Sequence, residues 1–287
     1  MTETSGRAGP RPAACFWLAP VPVLITALCL LAAAGSPAQA AVAPVSLGSA
    51  STFGVLAGTT VTSTGSSVIN GDLGVSPGSA VTGFPPGVVN GTVHSADAPA
   101  ASAQTDLAAG FTDAMGRTPT VTGLSSIGNQ TLGPGVYSAP SSLGVNGVLT
   151  LDGQGDTGSV FIFQIGSTLT TASASTVVPE NGAQACNVFW EVGSSATLGT
   201  GSAFLGSILA LTSITVTTGD TISGRALARN GAVTLDDDTV TVPPSCPDIP
   251  IPVASPPIAA GAAGIAGVAW GGWFVARRRR SRRLSLA

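Results

Sequence analysis

Residues 197–209 read TLGTGSAFLGSIL, and residues 215–227 read TVTTGDTISGRAL. Residues 60–73, TVTSTGSSVINGDL, are built in the same way. Each stretch opens on a threonine, passes through glycine and ends on an apolar segment. Short runs of β-branched and aromatic residues bounded by glycine are typical of β-strands. These stretches therefore predict a mainly β protein made of repeated units.

The repeat has a nearly constant period. A Thr-Leu or Thr-Val pair opens a segment at Thr150, Thr168, Thr197, Thr215 and Thr234. Most steps are eighteen or nineteen residues, and the longer step from Thr168 to Thr197 contains the turn 179–182, PENG. A period of this size suits one turn of a three-sided β-solenoid with strands of about six residues. A β-sandwich is the alternative, but it does not require a constant period.

One long α-helix is predicted at about residues 97–117. Asp97 is suited to the N-terminal cap, Pro99 to the first turn and Gly116 to the end. The helix has an apolar stripe at Leu107, Phe111 and Met115. This spacing of i, i+4 and i+8 predicts a helix packed alongside the solenoid with the whole stripe buried in the core.

The N-terminus predicts a secretory signal peptide over residues 1–40. Arg7 and Arg11 precede an apolar run, and the small residues of 38–40, AQA, form a cleavage site before Ala41. An uncleaved N-terminal anchor is the alternative. We expect export of the chain and a folded domain over residues 41–247.

The C-terminus predicts a membrane anchor. A Pro-rich linker, 248–252, leads into residues 253–276, which contain no charged side chain. This segment is long enough to cross a hydrocarbon core of about 30 Å as a transmembrane helix. Six arginines in the basic tail 277–287 favour a cytoplasmic location for that end. We therefore expect the solenoid outside the cell membrane.

Composition argues against several classes of function. Charged residues are 9% of the chain, which contains no lysine. Residues 41–252 have only Arg117, Arg225 and Arg229 as basic side chains. Nucleic acid is not expected as a partner, because little positive charge is available to neutralise phosphates. The single histidine, His94, allows no histidine cluster. We expect no enzyme activity, no cofactor and no metal site.

Two further features have competing interpretations. The run 236–238, DDD, is interpreted as a solvated acidic turn, with calcium binding as the alternative. Cys15 and Cys29 lie in the predicted leader, which leaves Cys186 and Cys246 in an oxidising compartment. A disulfide between this pair is expected there. A two-cysteine metal site is the alternative, although no histidine is near either residue.

The chain also resembles a known family over residues 45–242. The segments that carry the resemblance are 47–57 (LGSASTFGVLA), 69–77 (INGDLGVSP), 132–137 (LGPGVY), 161–164 (FIFQ), 187–190 (NVFW), 206–214 (GSILALTSI) and 224–235 (GRALARNGAVTL). They are similar, in order, to the large microbial ice-binding protein family built on a discontinuous β-solenoid. The resemblance implies a right-handed solenoid with the helix alongside and ice adsorption through one flat face.

Two columns are candidates for that face. Some family members have a T-A/G-x-T/N pattern, and the positions here that match it start with Leu in place of Thr. The first candidate face is Leu56, Ala57, Thr59, Leu209, Ala210, Thr212, Leu227, Ala228 and Asn230. The alternative face is Thr168, Thr170, Thr197, Thr200, Thr215, Thr217 and Thr234. Solenoid corners break the alternation of side chains, so only the resemblance favours the first.

The function predicted from these features is ice binding by a membrane-tethered monomer. Such a protein limits ice growth or recrystallisation, or holds the cell to ice. The alternative is a surface adhesin that binds glycans or another cell, with the solenoid as scaffold. A glycan-binding groove needs exposed aromatic rings, and Tyr137 is the only tyrosine. A purely structural envelope protein is a third interpretation.

Overall fold

The structure, a computed structural model, describes residues 42–246. This part of the chain consists mainly of parallel β-strands with one α-helix. No helix within it is both long and apolar enough to span a bilayer. The predicted leader, linker, transmembrane segment and basic tail lie outside the described residues.

Twenty-two strands are present in residues 42–246. They are β1 (Phe53–Ala57), β2 (Thr60–Ser63), β3 (Val68–Asn70), β4 (Asp72–Val75), β5 (Ala80–Thr82), β6 (Val88–Val89), β7 (Val93–Ser95), β8 (Val121–Thr122), β9 (Gln130–Leu132), β10 (Gly135–Ala139), β11 (Leu143–Val145), β12 (Val148–Asp152), β13 (Phe161–Ile165), β14 (Leu169–Thr171), β15 (Thr176–Glu180), β16 (Val188–Val192), β17 (Ala196–Leu198), β18 (Ala203–Ala210), β19 (Ile214–Val216), β20 (Thr221–Ala228), β21 (Val233–Leu235) and β22 (Thr239–Thr241). The helix α1 is Ala98–Gly116, and short 3₁₀ helices span Gly48–Thr52 and Ala185–Asn187.

The strands stack in parallel on three sides. The ladder face is the sheet β11-β14-β17-β19-β21-β2-β5. The helix face runs through β8, β10, β13, β16, the ends of β18 and β20, and then β1, β4 and β7. The grid face runs through β9, β12, β15, the starts of β18 and β20, and then β22, β3 and β6.

Strands β18 and β20 belong to two faces because each bends at a glycine. Gly206 has a φ of 106°, a conformation that glycine adopts without steric cost. Gly224 is its register partner, and a side chain there would collide with the carbonyl oxygen of Gly206. The two glycines therefore make a sharp corner between the grid face and the helix face.

An aromatic stack fills the interior between the three faces. Tyr137 and Phe163 have ring centroids 5.3 Å apart, Phe163 and Trp190 are 4.0 Å apart, and Trp190 and Phe204 are 5.0 Å apart. The indole Nε1 of Trp190 donates to the carbonyl oxygen of Leu205 at 2.9 Å. Trp190 is the one tryptophan among residues 42–246, and its buried indole N–H is thereby satisfied, as burial requires.

The first strands of the domain stack on the last ones. β1 pairs with β20, β2 with β21, and β3 with β22, all in parallel. The segment before α1 thus extends the column of coils built after it. This discontinuous order is the architecture that the family resemblance implied.

The helix prediction is confirmed, apart from the extent of its buried stripe. Asp97 is the N-cap, and its Oδ1 accepts a hydrogen bond from the backbone N–H of Ala100 at 3.0 Å. Leu107 and Phe111 are buried against the helix face. Met115 is 56% exposed, so its assignment to the core is wrong. The last turn of α1 lies at the rim of an open groove, which leaves that side chain in solvent.

The predicted disulfide is confirmed. Cys186 and Cys246 are bonded, with their Cα atoms 5.7 Å apart. Cys186 lies in the 3₁₀ helix before β16, and Cys246 follows β22. The bond therefore fastens the end of the described chain to the middle of the solenoid.

Candidate functional site

The ladder face carries a row of threonines in direct register. On β14, β17, β19 and β21 a single central side chain points outward, between two inward-facing residues. On β2 and β5 a second outward pair, Thr60 and Ala80, lies beside the first. Consecutive strands place six threonines side by side: Thr170, Thr197, Thr215, Thr234, Thr62 and Thr82. This row contains four residues of the alternative face, and it adds Thr62 and Thr82, which the sequence analysis did not include.

The other members of the alternative face lie at the edges of this row. Thr168 immediately precedes β14, and its hydroxyl lies 2.7 Å from that of Ser142. Thr200 and Thr217 follow their strands, and their hydroxyls are 3.2 Å apart. The structure therefore brings all seven residues to one side of the solenoid. Within the strands from β14 to β21, the row is only one residue wide.

A carboxylate interrupts the edge of the ladder face. Asp236 accepts hydrogen bonds from the hydroxyls of Thr64 at 2.8 Å and Thr218 at 2.5 Å. These two hydroxyl donors hold the pKa of Asp236 below its usual range. A negative charge therefore persists beside the threonine row at neutral pH.

The first candidate face is largely buried, so this expectation is wrong for six of its nine residues. Leu56, Leu209 and Leu227 are fully buried in the cluster that contains α1. The alanines that follow them point into the solenoid core: Ala57, Ala210 and Ala228. The remaining three residues, Thr59, Thr212 and Asn230, are exposed at the corner between the helix face and the ladder face. The helix itself covers the surface that the leucines form.

The grid face presents two outward residues on most of its strands. Its first column is continuous in register across seven strands: Val148, Thr176, Ala203, Thr221, Thr239, Val68 and Val88. Its second column includes Thr150, Val178, Ser223, Thr241 and Asn70. Small hydroxyls and methyl groups therefore form a two-dimensional array, in contrast to the single row of the ladder face.

The centre of the grid face is a block of four hydroxyl side chains. Thr221 and Thr239 are register partners, as are Ser223 and Thr241. Asn70 donates from Nδ2 to the hydroxyl oxygen of Thr241 at 3.0 Å, which anchors one corner of the block. A hollow of about 340 Å³ opens here, and its lining includes all four of these residues together with Ala203. The carboxylates of this face, Asp152 and Glu180, lie at the ends of β12 and β15.

The sequence contains a signal for this face that does not appear in either predicted column. Residues 218–221 read TGDT, which satisfies the T-A/G-x-T/N pattern in full. Its last residue, Thr221, belongs to the first column of the grid face. The first candidate face was instead predicted from segments that open on leucine, and those leucine side chains are buried under α1.

The acidic run at the corner between the ladder and grid faces is only partly solvated. Asp237 is exposed, but Asp238 is buried, so the interpretation as a solvated turn is wrong for that residue. Asp238 accepts hydrogen bonds from the backbone N–H groups of Asp220 at 2.8 Å and Asp236 at 2.7 Å. Asp220 in turn accepts from the N–H of Ser202 at 2.6 Å. Burial raises the pKa of Asp238 to about 7 and that of Asp220 to about 6.

Comparison with known proteins confirms the resemblance. The family model described as "Ice-binding-like" matches residues 55–241. An ice-binding protein of Nostoc sp. (strain HG1) is 53% identical over 218 residues, which cover 75% of this chain and 80% of that protein. Among solved structures, an ice-binding protein from an Antarctic biological consortium is 47% identical with a TM-score of 0.70, covering 72% of this chain and 94% of that one. One from the ascomycete Antarctomyces psychrotrophicus is 46% identical with a TM-score of 0.69, covering 70% and 100%.

Proposed function

This chain belongs to the ice-binding-like protein family, and on that premise we propose that it adsorbs to ice through the grid face and inhibits ice growth or recrystallisation. The single observation that carries the choice of face is the two-column array around Thr221, Ser223, Thr239 and Thr241. No step of this function involves catalysis or a cofactor.

The physical demand of ice explains why such an array is suitable. Ice offers no net charge, only an ordered lattice of water, so a binder needs a rigid surface that holds water in a matching order. Adjacent strands lie about 4.7–4.9 Å apart, and β-branching restricts the threonine χ1 angle. The methyl group of each threonine orders nearby water, and its hydroxyl joins the hydrogen-bond network.

Exposed apolar side chains extend this surface. Val148 and Val88 end the first column and are 47% and 49% exposed. Five large hydrophobic residues of the described chain are exposed, and these valines are two of them. Exposed apolar groups aligned with small hydroxyls favour contact with ordered water over contact with a charged ligand.

The ladder face is the competing surface. Its six threonines are more regular than the grid, but on β14, β17, β19 and β21 they form a single row within the strands, and the charge of Asp236 lies at their edge. A plane of the ice lattice repeats in two directions. A surface whose side chains also repeat in two directions matches it better, so the grid face is favoured. The glycan adhesin has less support, because Tyr137 is buried and stacked on Phe163.

Paired substitutions test the choice of face. The soluble domain, residues 41–247, is prepared with Thr221→Tyr on the grid face or Thr215→Tyr on the ladder face. Both threonines are exposed on strands of the solenoid, so the larger side chain disturbs the surface rather than the core. Thermal hysteresis and fluorescence of labelled protein on a single ice crystal measure adsorption. We expect Thr221→Tyr to remove most of the hysteresis and Thr215→Tyr to leave it nearly intact.

Each alternative outcome has its own meaning. Loss with Thr215→Tyr alone moves the site to the ladder face while keeping the function. A folded wild-type domain that neither shapes ice nor slows recrystallisation overturns the function itself. Circular dichroism of every variant confirms that the fold is retained.

The proposal includes tethering of a monomer to the cell membrane by residues 253–276. Support comes from the uncharged segment followed by arginines. Full-length chain should sediment with membranes, whereas a chain ending at Pro247 should be released. Recovery of the full-length chain in the soluble fraction contradicts the anchor, and light scattering of the released domain tests its monomeric state.

A further inference from the structure

A groove separate from both open faces lies between the end of α1 and the helix face. Its volume is about 370 Å³. The residues that line it are mostly apolar: Phe111, Met115, Ala139, Pro140, Ile165 and Leu211. Among them stands the carboxyl group of Glu191, on β16.

Glu191 is unusual in its surroundings. The residue is only 4% exposed, and desolvation raises the pKa of its carboxyl group to about 7. Its register neighbour Gln164, also buried, donates from Nε2 to the carbonyl oxygens of Ala114 at 2.8 Å and Arg117 at 2.7 Å. The side-chain amide nitrogen of Gln164 therefore holds the end of α1, whereas the neighbouring residue Glu191 lines the groove.

No cation of the described chain neutralises Glu191. Within residues 42–246 Arg117 forms an ion pair with Asp113, and Arg225 donates to the carbonyl oxygen of Ser51 and the hydroxyl of Ser207. The guanidinium of Arg229 lies over the ring of Phe111, 4.9 Å from its centroid. A buried carboxylate without a counter-charge is costly, and a cation from outside the chain relieves that cost.

We propose that this groove is a binding site for a small primary alkylammonium ion, with the ammonium group against the Glu191 carboxylate and the alkyl chain on Met115, Pro140 and Leu211. The adjacent C-terminus of α1 adds the negative end of a helix dipole. The basic C-cap residue, Arg117, directs its guanidinium to Asp113 on α1 itself. The site and its occupant are independent of ice adsorption.

The lining selects an organic cation over a metal ion. Divalent metal ions require several oxygen ligands, and no cluster of three or more His, Cys, Asp or Glu residues suited to a metal occurs within residues 42–246. One carboxylate among apolar side chains fits an amphipathic cation, whose head is charged and whose body is hydrophobic. The exposed thioether of Met115 at the rim suits such a body, because methionine adapts its shape.

Calorimetric titration of the soluble domain tests the site. The probe is n-butylammonium chloride in mildly alkaline buffer, with sodium chloride and 1-butanol titrated separately. We expect saturable binding of butylammonium in the millimolar range, as is reasonable for so small a ligand. Sodium ion has no alkyl chain and 1-butanol has no positive charge, so neither should give a saturable signal.

The matched variants are Glu191→Gln and Glu180→Gln. Glu180 is an exposed carboxylate on β15, so its loss controls for general electrostatic attraction. Binding should weaken at least about tenfold in Glu191→Gln and stay unchanged in Glu180→Gln. Amide chemical shifts of Gly193 and Ile165 should move during the titration. Equal binding by wild type and Glu191→Gln, or no saturable binding by wild type, overturns the proposal, whatever the ice activity of the protein.

Discussion

Thr62 and Thr234 are direct register partners on β2 and β21, although the helix and most of the coils lie between them in the chain. The row of threonines on the ladder face therefore crosses a seam between the first segment of the domain and its last coils. The same seam runs through the grid face, where Thr239 pairs with Val68. Both open faces depend on correct docking of the N-terminal segment.

The first prediction tests this seam at Gly58. Its N–H donates to the carbonyl oxygen of Gly231 at 2.9 Å, and a Cβ there would overlap the carbonyl oxygen of Arg229. Gly58→Ala should lower the free energy of unfolding by about 2–3 kcal/mol, because the two backbones must separate. Urea denaturation followed by circular dichroism measures the change.

Gly116→Ala is the control for this substitution. It lies at the end of α1, and a Cβ there meets nothing within 4 Å. Its stability should stay within about 0.5 kcal/mol of wild type. If Gly58→Ala is as stable as this control, the backbones at the seam have more room than the structure shows.

Much of the fold could be predicted from the sequence because its signals are local. The constant step between threonine segments indicates one coil, and Asp97 with Pro99 indicates the start of α1. Two cysteines remain in the domain after the leader, so only one internal disulfide is available. None of these inferences depends on which way a side chain points.

The proposed ice-binding face could not be predicted, because it depends on which outward-pointing side chains of the solenoid are covered by another element. The alternation of β20 continues through its bend, so Thr221 and Leu227 both point away from the solenoid core, where Ile222 and Ala228 lie. Thr221 meets solvent, whereas Leu227 meets α1. The covering of the leucines is a tertiary contact with a helix far away in the chain. Thr62 and Thr82 were missed for a similar reason, since their pairing crosses the seam.

The second prediction concerns the disulfide between Cys186 and Cys246. The bond closes a sequence separation of 60 residues, and a loop of that size should contribute about 4 kcal/mol to the stability in the chain-entropy model. The double variant Cys186→Ser/Cys246→Ser should melt at a lower temperature but retain ice binding in the cold. Thermal unfolding with and without reductant measures the effect. A reductant that lowers the melting temperature of the serine variant as well would show that the effect is not due to this bond.

The third prediction is that stability falls as the pH rises from mildly acidic to neutral. Burial raises the pKa of Glu191 from 4.5 to about 7. Between these values the folded state keeps a proton that the unfolded chain releases, so each step upward in pH favours unfolding. Asp238 and Asp220, raised from 3.8 to about 7 and about 6, act in the same direction. The pKa values of Asp97 and Asp236 are lowered from 3.8. Their contribution to stability is therefore constant near neutral pH and is lost only in strongly acidic buffer.

Glu191→Gln separates the contribution of one carboxyl group. In alkaline buffer it should raise the free energy of unfolding by roughly 1–2 kcal/mol, because the buried charge is removed and solvent in the groove screens part of the full shift. In acidic buffer it should match wild type, whose Glu191 is then protonated in both states. A pH series of urea denaturation curves provides the measurement. A wild-type stability that rises steadily through neutral pH contradicts the prediction.

The fourth prediction separates packing from ice recognition at Leu209. This side chain is fully buried between β18 and α1, so Leu209→Ala should cost about 2–4 kcal/mol by leaving a cavity. Thermal hysteresis measured far below the melting temperature should be unchanged, because the side chain never reaches the surface. Thr105→Ala, on the exposed side of α1 and outside both candidate faces, controls for small changes of stability. Loss of hysteresis in a folded Leu209→Ala domain would mean that α1 leaves the helix face when the protein meets ice, and that the leucine column is the binding surface after all.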